Sequence, residues 1–184
     1  MASLPNSKTV TYEEWLRMPE VTDAVEEVVN GEIRIAPPGT FQHARIVEQL
    51  HRGFHALDSD KFVVATGSFG LIIRTAPLTS RTPDLAVFEV ATLVERDGYI
   101  HSAPQLLVEV LSPANSRRQM EEKLADYAAI GAPEVWVISP EARTVEVLLL
   151  EDSFLRSNQI LASGSLSPKL FPQVSVDIAR IWPD

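Results

Sequence analysis

Leu106-Leu107-Val108-Glu109-Val110-Leu111-Ser112-Pro113 is the stretch that decides how this chain is read. From Leu106 to Leu111 only Glu109 is not apolar. A continuous apolar run of this kind is expected of a strand covered on both faces. A lone glutamate inside it is costly to bury unless its charge is compensated. Upstream, Pro83-Asp84 stands ahead of Leu85-Ala86-Val87-Phe88, a second apolar strand with a carboxylate at its entry. Two such acids from neighbouring strands make a hard, oxygen-rich donor set of the kind that Mg²⁺ and Mn²⁺ prefer.

The sequence after Pro113 predicts a helix. Ser116 and Gln119 form a capping-box pattern, Met120, Leu124, Tyr127 and Ala128 make its buried face, and Gly131 and Pro133 stop it. Lys123 lies three residues after Met120 and four before Tyr127, so it flanks that face and can reach back to the sheet. Strands are predicted at Val135–Ile138 and Thr144–Leu150, then a small β extension and a short terminal helix around Ile178–Trp182.

Towards the N-terminus, Thr11 and Glu14 form another capping box, opening a short helix that ends before Pro19. Val25–Val29, Asn30-Gly31 and Glu32–Ile35 predict a hairpin, because Asn-Gly suits both positive-φ positions of a type I′ turn. Ile46, Val47, Leu50, Phe54 and Leu57 recur at helical spacing and predict an amphipathic helix from Phe41 to Leu57. Phe62–Ala65 and Phe69–Ile73 read as strands, and Thr75–Thr82 as a polar loop. Asp97-Gly98 marks a turn in the long connection between the two acid-bearing strands. Helices before and between strands give a mixed-sheet α/β (α+β) domain, taken as one unit over residues 1–184.

Composition narrows the function classes. With 184 residues and 45% hydrophobic content the chain can bury a full core. It contains no apolar run long enough for a membrane helix and no signal-type stretch at its start. The lack of cysteine excludes disulfide and thiolate chemistry and suits a cytoplasmic protein. A net charge of −9 opposes broad binding to nucleic acid. His51 and His55 stand i, i+4, but a third ligand is missing and a zinc site is rejected.

The ordered set of motifs resembles the Uma2-like family of restriction endonucleases, within the PD-(D/E)XK nuclease superfamily. The residues that carry the resemblance are Glu27-Val-Val-Asn-Gly-Glu32, Ala36-Pro-Pro38, His43, Pro83-Asp84, Gly98-Tyr-Ile100, Ala103-Pro104, Leu107–Pro113, Lys123-Leu-x-x-Tyr127 and Gly131-x-Pro-Glu-Val-Trp136. The resemblance covers roughly residues 10–150. The resemblance implies a restriction-endonuclease-like mixed central sheet flanked by helices, with N- and C-terminal β extensions. It also implies a divalent-metal phosphodiesterase site on one sheet edge, DNA as substrate and a homodimer. Asp84 and Glu109 would bind Mg²⁺ or Mn²⁺, with Glu27 as a third acid.

Hydrolysing a phosphodiester requires an activated water and stabilised phosphoryl charge, and a metal and a lysine supply these. In the superfamily's common pattern the lysine stands two residues after the second acid, where this chain has Leu111. Lys123, from the following helix, is the candidate replacement. His43, Ser112 and Tyr127 are further candidates, and Arg117 and Arg118 could meet a phosphate backbone, joined by Arg45, Arg52, Arg74 and Arg81.

Each residue also has a plainer reading. Asp84 could be a strand-entry turn residue, Glu27 a hairpin residue, His43 and Ser112 caps, and Lys123 a solvated helix lysine. Glu109 could be half of a buried ion pair with Lys123 or an arginine. Two other function classes remain beside the endonuclease. One is a non-catalytic interaction module on the same fold, and the other is a metal-dependent phosphoesterase for small nucleotides.

Overall fold

The computed structural model describes residues 9–19, 21–67, 69–112 and 116–183; Pro113 and the segment 1–8 lie outside the described residues. Four α-helices are described: α1 (Tyr12–Trp15), α2 (Phe41–Gly53), α3 (Arg117–Ala129) and α4 (Ile178–Ile181). The central sheet has strand order β12-β11-β10-β9-β6-β3. Its members are β3 (Phe62–Thr66), β6 (Leu85–Glu89), β9 (Leu106–Val110), β10 (Glu134–Ser139), β11 (Thr144–Glu151) and β12 (Phe154–Leu161). A second sheet runs in the order β2-β1-β5-β4-β8-β7. It is built from β1 (Val25–Val29), β2 (Glu32–Ala36), β4 (Leu71–Thr75), β5 (Leu78–Arg81), β7 (Glu95–Arg96) and β8 (Tyr99–Ile100). A short pair, β13 (Ser165–Leu166) and β14 (Val176–Asp177), lies near the C-terminus.

Strand β9 lies between β6, antiparallel, and β10, parallel, and every one of its residues is buried. Alternation sorts its side chains onto two faces. Leu106, Val108 and Val110 share a core with Ile46 and Leu50 of α2 and with Val174 and Ile178. Leu107 shares the other core with Tyr127 of α3, Val135 and Val137. Glu109 therefore faces α3. Leu85 pairs with Val108, so one step further along the register sets Asp84 opposite Glu109.

The predicted caps are present. Thr11 and Ser116 each accept the amide three residues on, and each donates its own backbone N–H to the side chain of that residue, Glu14 and Gln119. Thr40 accepts the amide of His43 at the start of α2. The Asn30-Gly31 turn has φ of 53° and 84°, as a type I′ hairpin requires.

Several elements differ from expectation. Helix α2 stops at Gly53 and tightens into a 3₁₀ turn at Phe54–Ala56, which buries Phe54. The strand expected at Phe69–Ile73 runs from Leu71 to Thr75. The polar loop expected at Thr75–Thr82 is in large part a strand: Leu78–Arg81 is wholly buried and bridges β1 and β4. Polarity misleads there because Arg81 has ionic partners inside the fold. Phe154–Leu161, expected to be part of a small extension, is a full edge strand of the central sheet. Its pairing with β11 passes over Asn158, and that bulge breaks the alternation that would have revealed it.

Gly31 allows a test of the hairpin. A Cβ added there would stand 2.7 Å from Thr9 Cβ, and its φ is left-handed. Gly31→Ala should lower stability by about 1–2 kcal/mol from backbone strain alone, read as a lower urea midpoint. An unchanged midpoint would show that the hairpin tolerates another geometry.

Candidate active site

The burial of Glu109 in β9 creates the need that the surrounding residues meet. Its carboxylate accepts from Lys123 Nζ at 3.2 Å to Oε1 and 3.0 Å to Oε2. Tyr127, one helical turn after Lys123, donates its hydroxyl to Glu109 Oε1. Both partners project from α3, whose start is fixed by the Ser116–Gln119 box. Lys123 also lies 2.9 Å from Glu27 Oε1, which comes from β1 of the second sheet. The ammonium is thus held between two carboxylates from different sheets.

Asp84 is tied down separately. Its Oδ2 accepts the Val110 amide at 2.7 Å, and its Oδ1 lies 2.9 Å from His43 Nε2. His43 is placed by the first turn of α2, where Thr40 caps its amide. Ser112 and Leu111, just beyond β9, share with His43 the lining of a cleft of about 390 Å³. A second cleft, of about 400 Å³, lies between α2 and the approach to β6 and is bordered by both His43 and Asp84.

Proton affinities follow from these contacts. Burial raises Glu109 to about 7, against the pull of Lys123 and with Asp84 adding to the rise. Burial also pushes Glu27 up, but Lys123 and Arg81 outweigh it and hold Glu27 below the ordinary value. For Lys123, burial would favour loss of the proton, yet Glu109 and Glu27 reverse this and raise its pKa. Burial and the nearby Glu109 push Tyr127 well up, so its hydroxyl stays a donor. The bond to Asp84 raises His43 despite partial burial.

Two residues with a structural part in the site were not singled out for it from sequence: Arg81 and Asp126. Arg81, 2% exposed, bonds Glu27 Oε2 at 2.9 Å and Asp126 Oδ2 at 2.9 and 2.7 Å. Arg81 was expected among arginines that could meet a phosphate backbone, and its burial removes it from that set. Arg74 pairs with Asp126 and Arg52 with Glu48. Arg117 and Arg118 are exposed and pair with Glu121 and Glu122 on their own helix. The one signal for Asp126 in the sequence is its position three residues after Lys123 and one before Tyr127, on the same turns of helix.

Over residues 12–179 the chain matches Uma2, the family described as "Putative restriction endonuclease". The chain belongs to the Uma2 family. A crystal structure of a "putative nuclease" from Anabaena variabilis ATCC 29413 aligns with a TM-score of 0.76, covering 94% of this chain and 97% of that one at 20% identity. That likeness establishes the fold. No curated protein matches the chain.

In this Uma2 protein the strand register sets two acids, Asp84 and Glu109, side by side. Among the described residues no group of three or more Asp, Glu or His side chains is arranged to hold a metal. Two opposed carboxylates fit Mg²⁺ or Mn²⁺, because Mg²⁺ keeps several waters and takes one or two protein carboxylates together with substrate oxygens. Glu27, expected as a third acid, has Arg81 on one oxygen and Lys123 with the Thr82 amide on the other. The Glu109–Lys123 ion pair considered from sequence is present, and it shares its cation with Glu27.

That sharing sets an expectation for stability. Because Glu109 binds its proton more tightly folded than unfolded, its contribution is fully present below the ordinary glutamate value of ~4.3. It is lost as pH rises through about 7. Glu109→Gln removes this loss and leaves Lys123 its partner Glu27. In EDTA at pH 8 the urea midpoint of Glu109→Gln should equal or exceed that of the wild type. On acidification towards pH 5 the wild type should gain stability relative to the variant. A drop at pH 8 worth the ~3–5 kcal/mol of a stranded buried charge would mean that Glu109 is a structural counter-ion only.

Proposed function

We propose that the chain is a Mg²⁺- or Mn²⁺-dependent endonuclease that hydrolyses phosphodiester bonds in DNA. The observation that carries this reading is the pair Asp84 and Glu109, opposed across adjacent strands, with Lys123 held on one of them. Membership of the Uma2 family supports it. A bound cation supplies the Lewis acidity that activates water and neutralises phosphoryl charge. Asp84 and Glu109 are the residues that would hold it. Lys123 brings a fixed positive charge to the point where negative charge accumulates. Tyr127 orients the Glu109 carboxylate, and His43 with the Val110 amide orients that of Asp84. A homodimer, which would present one site to each strand of a duplex, is part of this reading.

A second reading has its own observation. The two clefts that meet at His43 are lined, among the described residues, by no arginine or lysine. That favours a substrate with few phosphates, such as a small nucleotide, over a long duplex gripped along its backbone. Incubating the protein with plasmid, single-stranded DNA, RNA and nucleotides, each with Mg²⁺, Mn²⁺ or EDTA, separates the readings. The first expects metal-dependent plasmid cleavage and the second expects nucleotide hydrolysis alone.

Two variants test the roles within the first reading. Asp84→Asn should fold normally and lose the rise in melting temperature that Mn²⁺ confers on the wild type. Lys123→Ala should keep that rise, since an ammonium has no lone pair for a metal, yet cut cleavage by at least ~10²-fold. Leu111 packs on the same face of the sheet as Glu109. Leu111→Lys should therefore restore part of the rate to Lys123→Ala. Cleavage by Lys123→Ala at the wild-type rate would remove Lys123 from the mechanism.

A further inference from the structure

The cation on Glu109 is only as well placed as the group that holds its other side. Lys123 has a long, flexible stem, and one carboxylate would leave its ammonium several positions to occupy. Glu27 Oε1, 2.9 Å away, fixes the choice. Glu27 is itself fixed by Arg81 Nη1 on Oε2 at 2.9 Å and by the Thr82 amide on Oε1 at 3.2 Å. Two further donors of Arg81, from Nε and Nη2, close on Asp126, in the helix that carries Lys123 and Tyr127. Asp126 Oδ1 takes Arg74 at 3.2 Å, and Arg74 reaches the hairpin at Asn30 Oδ1, 2.6 Å away.

We propose that Arg81 and Asp126 are positioning residues: through Glu27 they form a buried clamp that sets the Lys123 ammonium on Glu109. The inference rests on the reading of Asp84, Glu109 and Lys123 as a hydrolytic site. It gives Glu27 the part of a lysine anchor rather than a metal ligand. A planar guanidinium suits the task, because its donors form a rigid fork that serves two carboxylates at once. Simple attachment of α3 to the second sheet would not need buried charges, since apolar packing does that as well or better. What apolar packing cannot do is aim a carboxylate at an ammonium.

The test follows the ammonium directly. The chain has four lysines, at positions 8, 61, 123 and 169. Lys61 and Lys169 are exposed, whereas Lys123 is largely enclosed. With ¹⁵N-lysine in the full chain, Lys123 should give an ammonium signal protected from exchange. In Asp126→Asn and Arg81→Lys the protein should fold, judged by its amide spectrum, while that signal broadens or disappears. With plasmid DNA and Mn²⁺, kcat should fall at least tenfold, with KM and the Mn²⁺-induced rise in melting temperature unchanged. Arg34→Ala is the control: Arg34 stands opposite Glu27 in the hairpin register, but its ion pair, at 2.7 Å, ties β2 to Glu122 of the same helix and not to the clamp. It should change neither the signal nor kcat.

Retention of signal and kcat in both clamp variants would overturn the inference. So would an equal loss in Arg34→Ala, which would mean that any tether of α3 suffices. Should both clamp variants fail to fold, Glu27→Gln takes their place, with the same signal and the same split expected. If the wild type cleaves no substrate with any metal, the hydrolytic reading fails by itself, and the ammonium signal alone then decides whether the clamp exists.

Discussion

A buried glutamate in the middle of the central sheet is the constraint that the rest of the molecule answers. Burying each large apolar side chain of β9 contributes roughly 1.5–3 kcal/mol, enough together to carry one unfavourable group into the strand. A lone carboxylate would still cost several kcal/mol there. The fold meets that cost with a lysine and a tyrosine from α3 rather than with solvent. The compensation is incomplete, because one ammonium serves two carboxylates and Asp84 stands opposite on the next strand. Glu109 is consequently the acid whose affinity for its proton rises to about 7. A site that remains short of positive charge is one that a divalent cation can complete.

The two sheets divide the work. The central sheet sets the distance between Asp84 and Glu109 by strand register, which cannot drift by one residue without turning each buried side chain to the opposite face. The second sheet contributes the groups that act on Lys123 rather than on the carboxylates. Glu27 comes from its hairpin and Arg81 from its buried strand. Their ionic contacts cross from one sheet to α3, so the second sheet is part of the site although it supplies neither of the paired acids.

What was legible in the sequence follows from this division. The acids, the lysine and the tyrosine could be read because each breaks a strong local pattern: a charge in an apolar strand, or a polar group flanking the apolar face of a capped helix. Hairpin and helix starts were legible because their turn and cap residues act locally. Arg81 was not legible, because a Thr-Ser-Arg stretch looks like loop until its partners, Glu27 and Asp126, are brought together from 54 and 45 residues away. Ion pairs across such separations leave no periodicity. The edge strand β12 was missed for a related reason, since a single bulge shifts its alternation midway. Charge type was visible in the sequence, but whether a guanidinium faces solvent or a buried carboxylate depends on the finished fold.

The acidic balance of the chain takes on a definite meaning in this geometry. With a net charge of −9, the long-range field repels a polyanion rather than steering it in. Lys123 and Arg81, the cations of the buried cluster, are enclosed and neutralised by carboxylates, so they add little to the potential outside. Recruitment of a phosphate group to the Asp84–Glu109 pair therefore has to come from short-range contact, within a Debye length of about 8–10 Å. A divalent cation on that pair is the one added charge that would both offset the repulsion of Asp84 and Glu109 and attract a phosphoryl oxygen at the same point. Lys123 cannot replace it, because its charge is already balanced by two carboxylates. In the endonuclease proposed above, a cation on this pair would therefore serve substrate binding as well as chemistry.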